Sequence, residues 1–338
     1  MKSLFLFILN LTVYSLFSQE IIKINSYDFD KQMNFYNVPG ISISIINNDN
    51  PQFYNWGKGI SQDTLFNVGT VGHLVVGLAI GQLVDMGLVD LDRDVNDYLE
   101  SWKIRESLTT ENRKVTLRLL LSHMAGISES QPKGFDVAPE TEIQPPYIRF
   151  YPGLKRRFSW SGYYIVQKVI EQVTNKDFNT YINESVFAPL GMKDSTFKHD
   201  FSSKNIAIGH DLFGKEVGFK YYSEIASLGF WTTTKDLSTL VIEINKIINS
   251  DYTGIFSRDS LLKMLTYQKG GWGLGPSLKF DNREQVFRQT GFTYGFVSNL
   301  IVRPYSEESI IILANGENAW KVILELIHTI DDYKKWGL

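Results

Sequence analysis

The sequence predicts an α/β (α+β) protein in which the two ends of the chain build one sheet lobe and a helical lobe is inserted between them. Short strand-like runs sit near both ends, and helical periodicity dominates the middle. The last segment carries Ala319, Val322, Ile323, Leu326, Ile327 and Ile330 at three- and four-residue steps, a single apolar stripe suited to lying on a sheet. On this reading the sheet lobe takes about 19–66 and 270–338, and the helical lobe about 70–250.

Taken in order, residues 1–18 read as an export signal. Lys2 gives a positive start, Leu4 to Leu16 form an apolar run broken by Asn10 and Thr12, and small Ser18 precedes a mature start near Gln19. The run is too short for a spanning helix, so no stable membrane span is expected once it is removed and the protein should be periplasmic or secreted. Ile41 to Ile46 and Gln52 to Trp56 read as two strands around the turn-rich Asn47-Asn48-Asp49-Asn50-Pro51. The helix from about Val71 to Met86 is apolar on almost every face, which predicts burial, and Gly72, Gly77 and Gly81 make room for close neighbours. Further helices are expected at Thr116 to His123, Gly162 to Thr174, Phe178 to Phe187 and Thr234 to Ile248. Between the first two of these lies an irregular stretch, Ser128 to Gly153, interrupted by Pro132, Pro139, Pro145, Pro146 and Pro152. Lys155-Arg156-Arg157 follows it, either as a holder of an anionic group or as three solvated charges. Strands are expected at Val286 to Gln289, Phe296 to Val302 and Ile310 to Ala314.

Composition narrows the functional classes. The 338 residues suffice for a large core, and 43% hydrophobic with 14% aromatic residues indicates an ordered domain. A formal charge of −3 argues against a nucleic-acid binder. With no cysteine there is no disulfide framework. His199 and His210 stand eleven residues apart without metal-ligand spacing, so neither a metal nor a cofactor is expected.

Several phrases recur in a meaningful order. They are Val38-Pro39-Gly40, then Phe66-Asn67-Val68-Gly69, then Gly81-Gln82-Leu83-Val84-Asp85-Met86-Gly87-Leu88. Leu119-Leu120-Leu121-Ser122-His123-Met124-Ala125-Gly126 and Phe187-Ala188-Pro189-Leu190-Gly191-Met192 follow. Through them, residues from about Val38 to Asn315 resemble the class C β-lactamase and DD-peptidase branch of the serine β-lactamase/penicillin-binding protein family. The resemblance implies a β-lactamase/transpeptidase-like fold, an antiparallel sheet flanked by helices with an inserted helical lobe. It also implies that His123 is structural and that Gly270-Gly271-Trp272-Gly273-Leu274-Gly275 belongs to a strand.

Acyl transfer in that family needs a hydroxyl nucleophile, a base, a proton relay and an oxyanion hole. Where the family has Ser-x-x-Lys at a helix start, this chain has Thr70 and His73, a spacing that puts both on one helix face. Thr70 keeps a hydroxyl crowded by its β-methyl, and His73 has an ordinary pKa suited to a base. Where the family has Tyr-x-Asn, this chain has Phe158-Ser159-Trp160, without the phenol and with an indole for the amide. Where the family has Lys-Thr-Gly, this chain has Gln289-Thr290-Gly291, followed by Phe292. The resemblance implies oxyanion donors at the backbone N–H groups of Thr70 and Phe292, which side-chain changes leave in place.

Loss of base and relay together removes proton-transfer steps worth roughly 10²–10⁴-fold each. The sequence thus points to an exported, catalytically weak or inactive relative that binds a small-molecule, peptide or glycan ligand in the old cleft. Phe158, Trp160, Gln289, Thr290, Gly291 and Phe292 would line that cleft. The competing reading is an esterase, amidase or peptidase using Thr70 as nucleophile and His73 as base. A third is a structural protein whose cleft is filled.

Overall fold

The computed structural model describes residues 27–100, 102–127, 146–199, 201, 204–222, 224–280, 284–334 and 336. The expected export signal and much of the proline-rich stretch lie outside the described residues. A six-stranded sheet runs in the order β2-β1-β8-β7-β6-β5, every neighbouring pair antiparallel. The strands are β1 (Ile41–Asn47), β2 (Asn50–Trp56), β5 (Ser277–Phe280), β6 (Gln285–Thr293), β7 (Phe296–Arg303) and β8 (Glu308–Ala314). A separate two-stranded ladder joins β3 (Phe66–Asn67) to β4 (Trp231–Thr232).

The β1–β2 hairpin turns at Asn48 and Asp49, whose φ angles of 49° and 57° are both positive. That is the conformation a two-residue type I′ turn demands, and Asn and Asp tolerate it. Pro51 then falls on the sheet's edge strand, where its missing N–H costs no ladder bond within the sheet. On the far side β1 pairs with β8, Ile41 opposite Ala314 and Ile45 opposite Ile310, so the two ends of the chain meet at the centre of the sheet.

Side-chain alternation gives the sheet two buried faces. Ile41, Ile43 and Ile45 join Ile310, Ile312, Val297 and Ile301 under α1 (Phe29–Tyr36) and the C-terminal helix α9 (Ala319–Lys334). Ile46, Ile311, Leu313 and Leu300 face the other way, into the larger core of the helical lobe. Two buried serines of β1 also face inward. Ser42 Oγ lies 2.8 Å from Thr234 Oγ1 and Ser44 Oγ 2.7 Å from Ser238 Oγ, so the hydroxyls dock the helix Thr234–Asn249 onto the strand and satisfy one another.

In the helical lobe α2 (Gly72–Asp85) is buried from Gly72 to Leu83. Its glycines work as spacers: a Cβ on Gly77 would stand 2.3 Å from the Leu274 carbonyl oxygen, and one on Gly72 3.0 Å from Phe230 Cβ. Around it lie α3 (Leu117–Leu121), α4 (Trp160–Thr174), α5 (Phe178–Ile182), α6 (Ile225–Leu228), α7 (Thr234–Asn249) and α8 (Arg258–Met264). The helix expected over Phe178 to Phe187 passes into a π-helical turn at Asn183–Phe187. Two expectations are corrected. Residues 270–275 form turns ahead of β5 in which Trp272 alone makes isolated bridges, to Gln268 and Ser277, and no continuous strand, with positive φ at Gly270, Gly271 and Gly275 that strand residues do not adopt. Thr70 precedes α2 and lies in a separate 3₁₀ turn, Gly69–Val71.

Candidate active-site cleft

Thr70 owes its position to backbone crowding between the 3₁₀ turn and β6. Gly69 adopts φ +49°, and a Cβ there would meet Thr293 Cγ2 at 2.7 Å. Gly291 carries no side chain because one would stand 2.0 Å from the Val68 carbonyl oxygen. Gly291, expected to line the cleft, therefore admits the chain's own Val68 against the strand. Ser298 Oγ donates to the same carbonyl at 2.9 Å and locks the contact. The outcome is a hydrogen bond of 2.7 Å from Thr70 Oγ1 to the Thr290 carbonyl.

That bond also orients the strand. Peptide groups two residues apart point to the same side of an antiparallel strand, so the backbone N–H and C=O of Phe292 face the same side as the Thr290 carbonyl. β5 pairs with β6 only over Gln285 to Arg288, which leaves Gln289 to Thr293 without a strand neighbour on that side. Phe292 as a residue is 56% exposed. Thr290 Oγ1 points to the other face and accepts from Asn299 Nδ2 at 2.9 Å. Gln289 is buried, and its Oε1 lies 3.4 Å from the Ser277 N–H, a long contact between β6 and β5.

His73 is fully buried. Its ring stacks on Tyr163 with centroids 3.5 Å apart and planes 9° apart, and its Nε2 lies 3.1 Å from Ser227 Oγ on α6. Nδ1 has no hydrogen-bond partner among the described residues. Burial, reinforced by the neighbouring His123, holds the imidazole well below its usual pKa. Thr70 and His73 are thus near in sequence but hydrogen-bond to different partners, Thr290 and Ser227.

The space around His73 holds rings. His123 lies 5.5 Å from it and Phe158 5.9 Å, with Phe158 4.4 Å from His123. His123, at φ 59°, accepts the Ser159 N–H on Nδ1 at 3.2 Å, and burial with Arg156 nearby lowers it to about 3. Ser159 caps α4 by accepting from the Gly162 N–H at 3.0 Å, which sets Phe158 before the helix and Trp160 at its first position. Trp160 is half-buried and meets Phe158 edge to face at 6.1 Å. Tyr163 donates its hydroxyl to the Leu121 carbonyl at 3.0 Å, and its burial pushes that phenol up. Trp272 closes the cluster against His123 at 5.4 Å.

The structure therefore groups Thr70 with Thr290, Gly291 and Phe292, and His73 with Phe158 and, through it, Trp160. Gln289 sits behind them, against β5. Tyr163 and Trp272 join the site as well, Trp272 from the 270–275 phrase, while Ser227 joins it without a local sequence signal, selected by a long-range contact alone. Chemically, the hydroxyl that His73 contacts is that of Ser227 and not that of Thr70, so it is not placed as a base for Thr70, whereas the exposed rings offer contacts a ligand can use. Among the described residues no cluster of three or more His, Cys, Asp or Glu is arranged to hold a metal ion.

Comparison with known proteins agrees with the architecture. The sequence profile of a family described as Beta-lactamase matches residues 28–327. Protein flp of Staphylococcus aureus (strain N315) is 24% identical over 351 aligned positions, covering 94% of this chain and 68% of that protein. Beta-lactamase-like protein 4 of Dictyostelium discoideum is 23% identical over 73% of this chain and 49% of its own length. Among solved structures, an octameric penicillin-binding protein homologue from Pyrococcus abyssi superposes with TM-score 0.73 at 22% identity, over 90% of this chain and 74% of that one. SurE superposes with TM-score 0.75 at 22% identity and the same coverage. At such identities the structural likeness speaks for the fold.

Proposed function

The chain belongs to the Beta-lactamase family, and from that premise we propose that it is an exported, non-catalytic member that binds a ligand in the former catalytic cleft. One observation carries this reading. The hydroxyl at the nucleophile position donates to Thr290 O, while the side chain at the base position is sealed between Tyr163 and Ser227. A nucleophile must pass its proton to a base within hydrogen-bond reach, about 2.6–3.2 Å, and here the two groups bond elsewhere. Held neutral by burial, His73 has the right charge for a base but no access to substrate. Phe158 has no proton to relay.

Binding is supported by what stays open. Phe292 lies on the stretch of β6 beyond β5, and Phe158, Trp160 and Phe292 are at least partly in contact with solvent. A small molecule, peptide or glycan bearing an amide fits such a surface, the amide adding to the strand and an apolar face lying on the rings. Export rests on the Lys2 to Ser18 pattern.

The experiment is an intact-mass measurement after incubation with penicillin, together with turnover of a chromogenic cephalosporin. No mass shift and no hydrolysis above buffer are expected. A stoichiometric adduct that vanishes in Thr70→Ala would overturn the reading and make Thr70 the nucleophile.

A further inference from the structure

Between residues 146 and 160 the chain carries Arg149, Lys155, Arg156 and Arg157 and no Asp or Glu, against a formal charge of −3 for the whole protein. All four cations are exposed, and none has a carboxylate partner among the described residues. Elsewhere surface cations do pair, as Arg118 with Asp92, Lys235 with Asp63 and Lys176 with Glu184. In this strip rings flank three of the cations. Lys155 Nζ stands 3.8 Å from the centre of the Phe150 ring, Arg157 lies 5.5 Å from the same ring, and Arg156 lies 4.6 Å from that of Trp272. Gly270 has no side chain where Arg156 packs, since a Cβ there would stand 2.9 Å from Arg156 Cβ. Lys269 joins them, its Nζ bonded to the Leu154 carbonyl at 2.7 Å.

Cation–π contacts order these side chains without neutralising them, so their positive charge remains available to an anion. The strip also has a direction. Tyr147 and Tyr151 stand out in solvent at its outer end, 67% and 50% exposed. At its inner end Trp272 and Phe158 touch buried His123, so the cations lead from the surface into the cleft.

We infer that the cleft binds an acidic polysaccharide, with acid groups on the basic strip and sugar faces on the exposed rings beside it. This inference rests on the reading of the cleft as a binding site and names its ligand class. Exposed rings beside a run of cations match a polymer in which each unit has an apolar face and an acid group. A flat anionic bilayer meets the outer tyrosines but cannot follow the strip inward to Trp272, whereas a thin polymer chain can.

The test is calorimetric titration of the whole protein with polygalacturonate, with neutral dextran as control and anionic phospholipid vesicles as a separate arm. Binding of polygalacturonate and not of dextran is expected, weakening steeply with salt as cation–anion contacts require. In the Lys155→Gln/Arg156→Gln/Arg157→Gln variant affinity should fall at least about tenfold, the loss of roughly one good charge contact or more. If losing the Arg156–Trp272 contact unfolds that variant, Arg149→Gln/Lys269→Gln should show a smaller loss in the same direction. Polygalacturonate binding that is absent, or unchanged in the folded variants, would overturn the inference, as would binding to vesicles alone. Acylation by penicillin alongside intact polygalacturonate binding would sink the non-catalytic reading and leave this one standing.

Discussion

His73 is the residue at which burial decides most. It and His123 are buried and held neutral, His73 facing Tyr163, Ser227, Phe158 and His123, and His123 facing Phe158, Trp272 and the Arg156 charge. Both pKa values lie below the ordinary 6.5 in the folded protein, His123 at about 3. Above the unfolded value neither state binds the extra proton, so stability is complete. As pH falls below 6.5 the unfolded chain takes up protons that the folded chain refuses, and stability is lost progressively to about 3. The loss should reach a few kcal/mol. Denaturant unfolding at neutral pH and near pH 4 (a value inside that window) should show it. Carboxylates titrate there too, so the decisive quantity is the difference from His73→Phe, whose stability should fall less steeply. Equal slopes would mean His73 is not held neutral. The sequence placed Thr70 and His73 at the motif positions, but not their partners. Thr70 bonds a carbonyl 220 residues away and His73 a hydroxyl 154 residues away, and neither distance leaves a local pattern.

At the scale of elements, what could be read was periodicity and what could not was contact. The Asn48-Asp49 hairpin, the buried α2 and the apolar stripe of α9 all follow from local chemistry. The helix Phe29–Tyr36 leaves no periodic signal, because only Phe29 and Met33 of its eight residues are buried and two positions make no stripe. The 270–275 phrase matches a family strand, yet its glycines adopt positive φ and turn the chain instead. Of these glycines Gly275 approaches α2 closely, where a Cβ would come within 2.8 Å of the His73 carbonyl oxygen. Gly77→Ala tests this packing with an inverted sign. Alanine in a helix interior ordinarily stabilises by roughly 0.5–1 kcal/mol. Here the added methyl would stand 2.3 Å from the Leu274 carbonyl oxygen, and backbone must move. Net destabilisation of about 1–3 kcal/mol is expected, the usual cost of overpacking. A melting temperature at or above the parent's would show that α2 and the 270–275 turn are free to part.

Across the whole molecule, the cleft depends on a sheet whose central strands come from opposite ends of the chain, and a buried charge cluster fastens its lower edge. Arg303 at the end of β7 is 2% exposed and pairs with Glu284 at 2.9 Å. Glu284 also accepts the backbone N–H groups of Tyr305 and Ser306 at 3.0 and 3.1 Å. Glu308 at the start of β8 lies 3.9 Å from Arg303 Nε, too far for a hydrogen bond but near enough for attraction. The same carboxylate accepts from Lys334 on α9 and from the indole of Trp336, each at 2.8 Å. One arginine thereby holds the entry to β6, the β7–β8 hairpin and the end of the chain together. Buried pairs contribute little net stability when intact, because desolvation offsets attraction, yet removing one partner leaves the other charge stranded. Arg303→Met should therefore cost about 3–5 kcal/mol, against no more than about 1 kcal/mol for the exposed pair broken in Lys176→Met. Adding Glu284→Gln to Arg303→Met should recover part of the loss, since a neutral amide needs no counter-charge while its oxygen still accepts from Tyr305 and Ser306. Urea unfolding of the three variants gives the comparison. If Arg303→Met were no worse than Lys176→Met, the cluster would be incidental, and the sheet would owe its closure to the isoleucines of β1 and β8 alone.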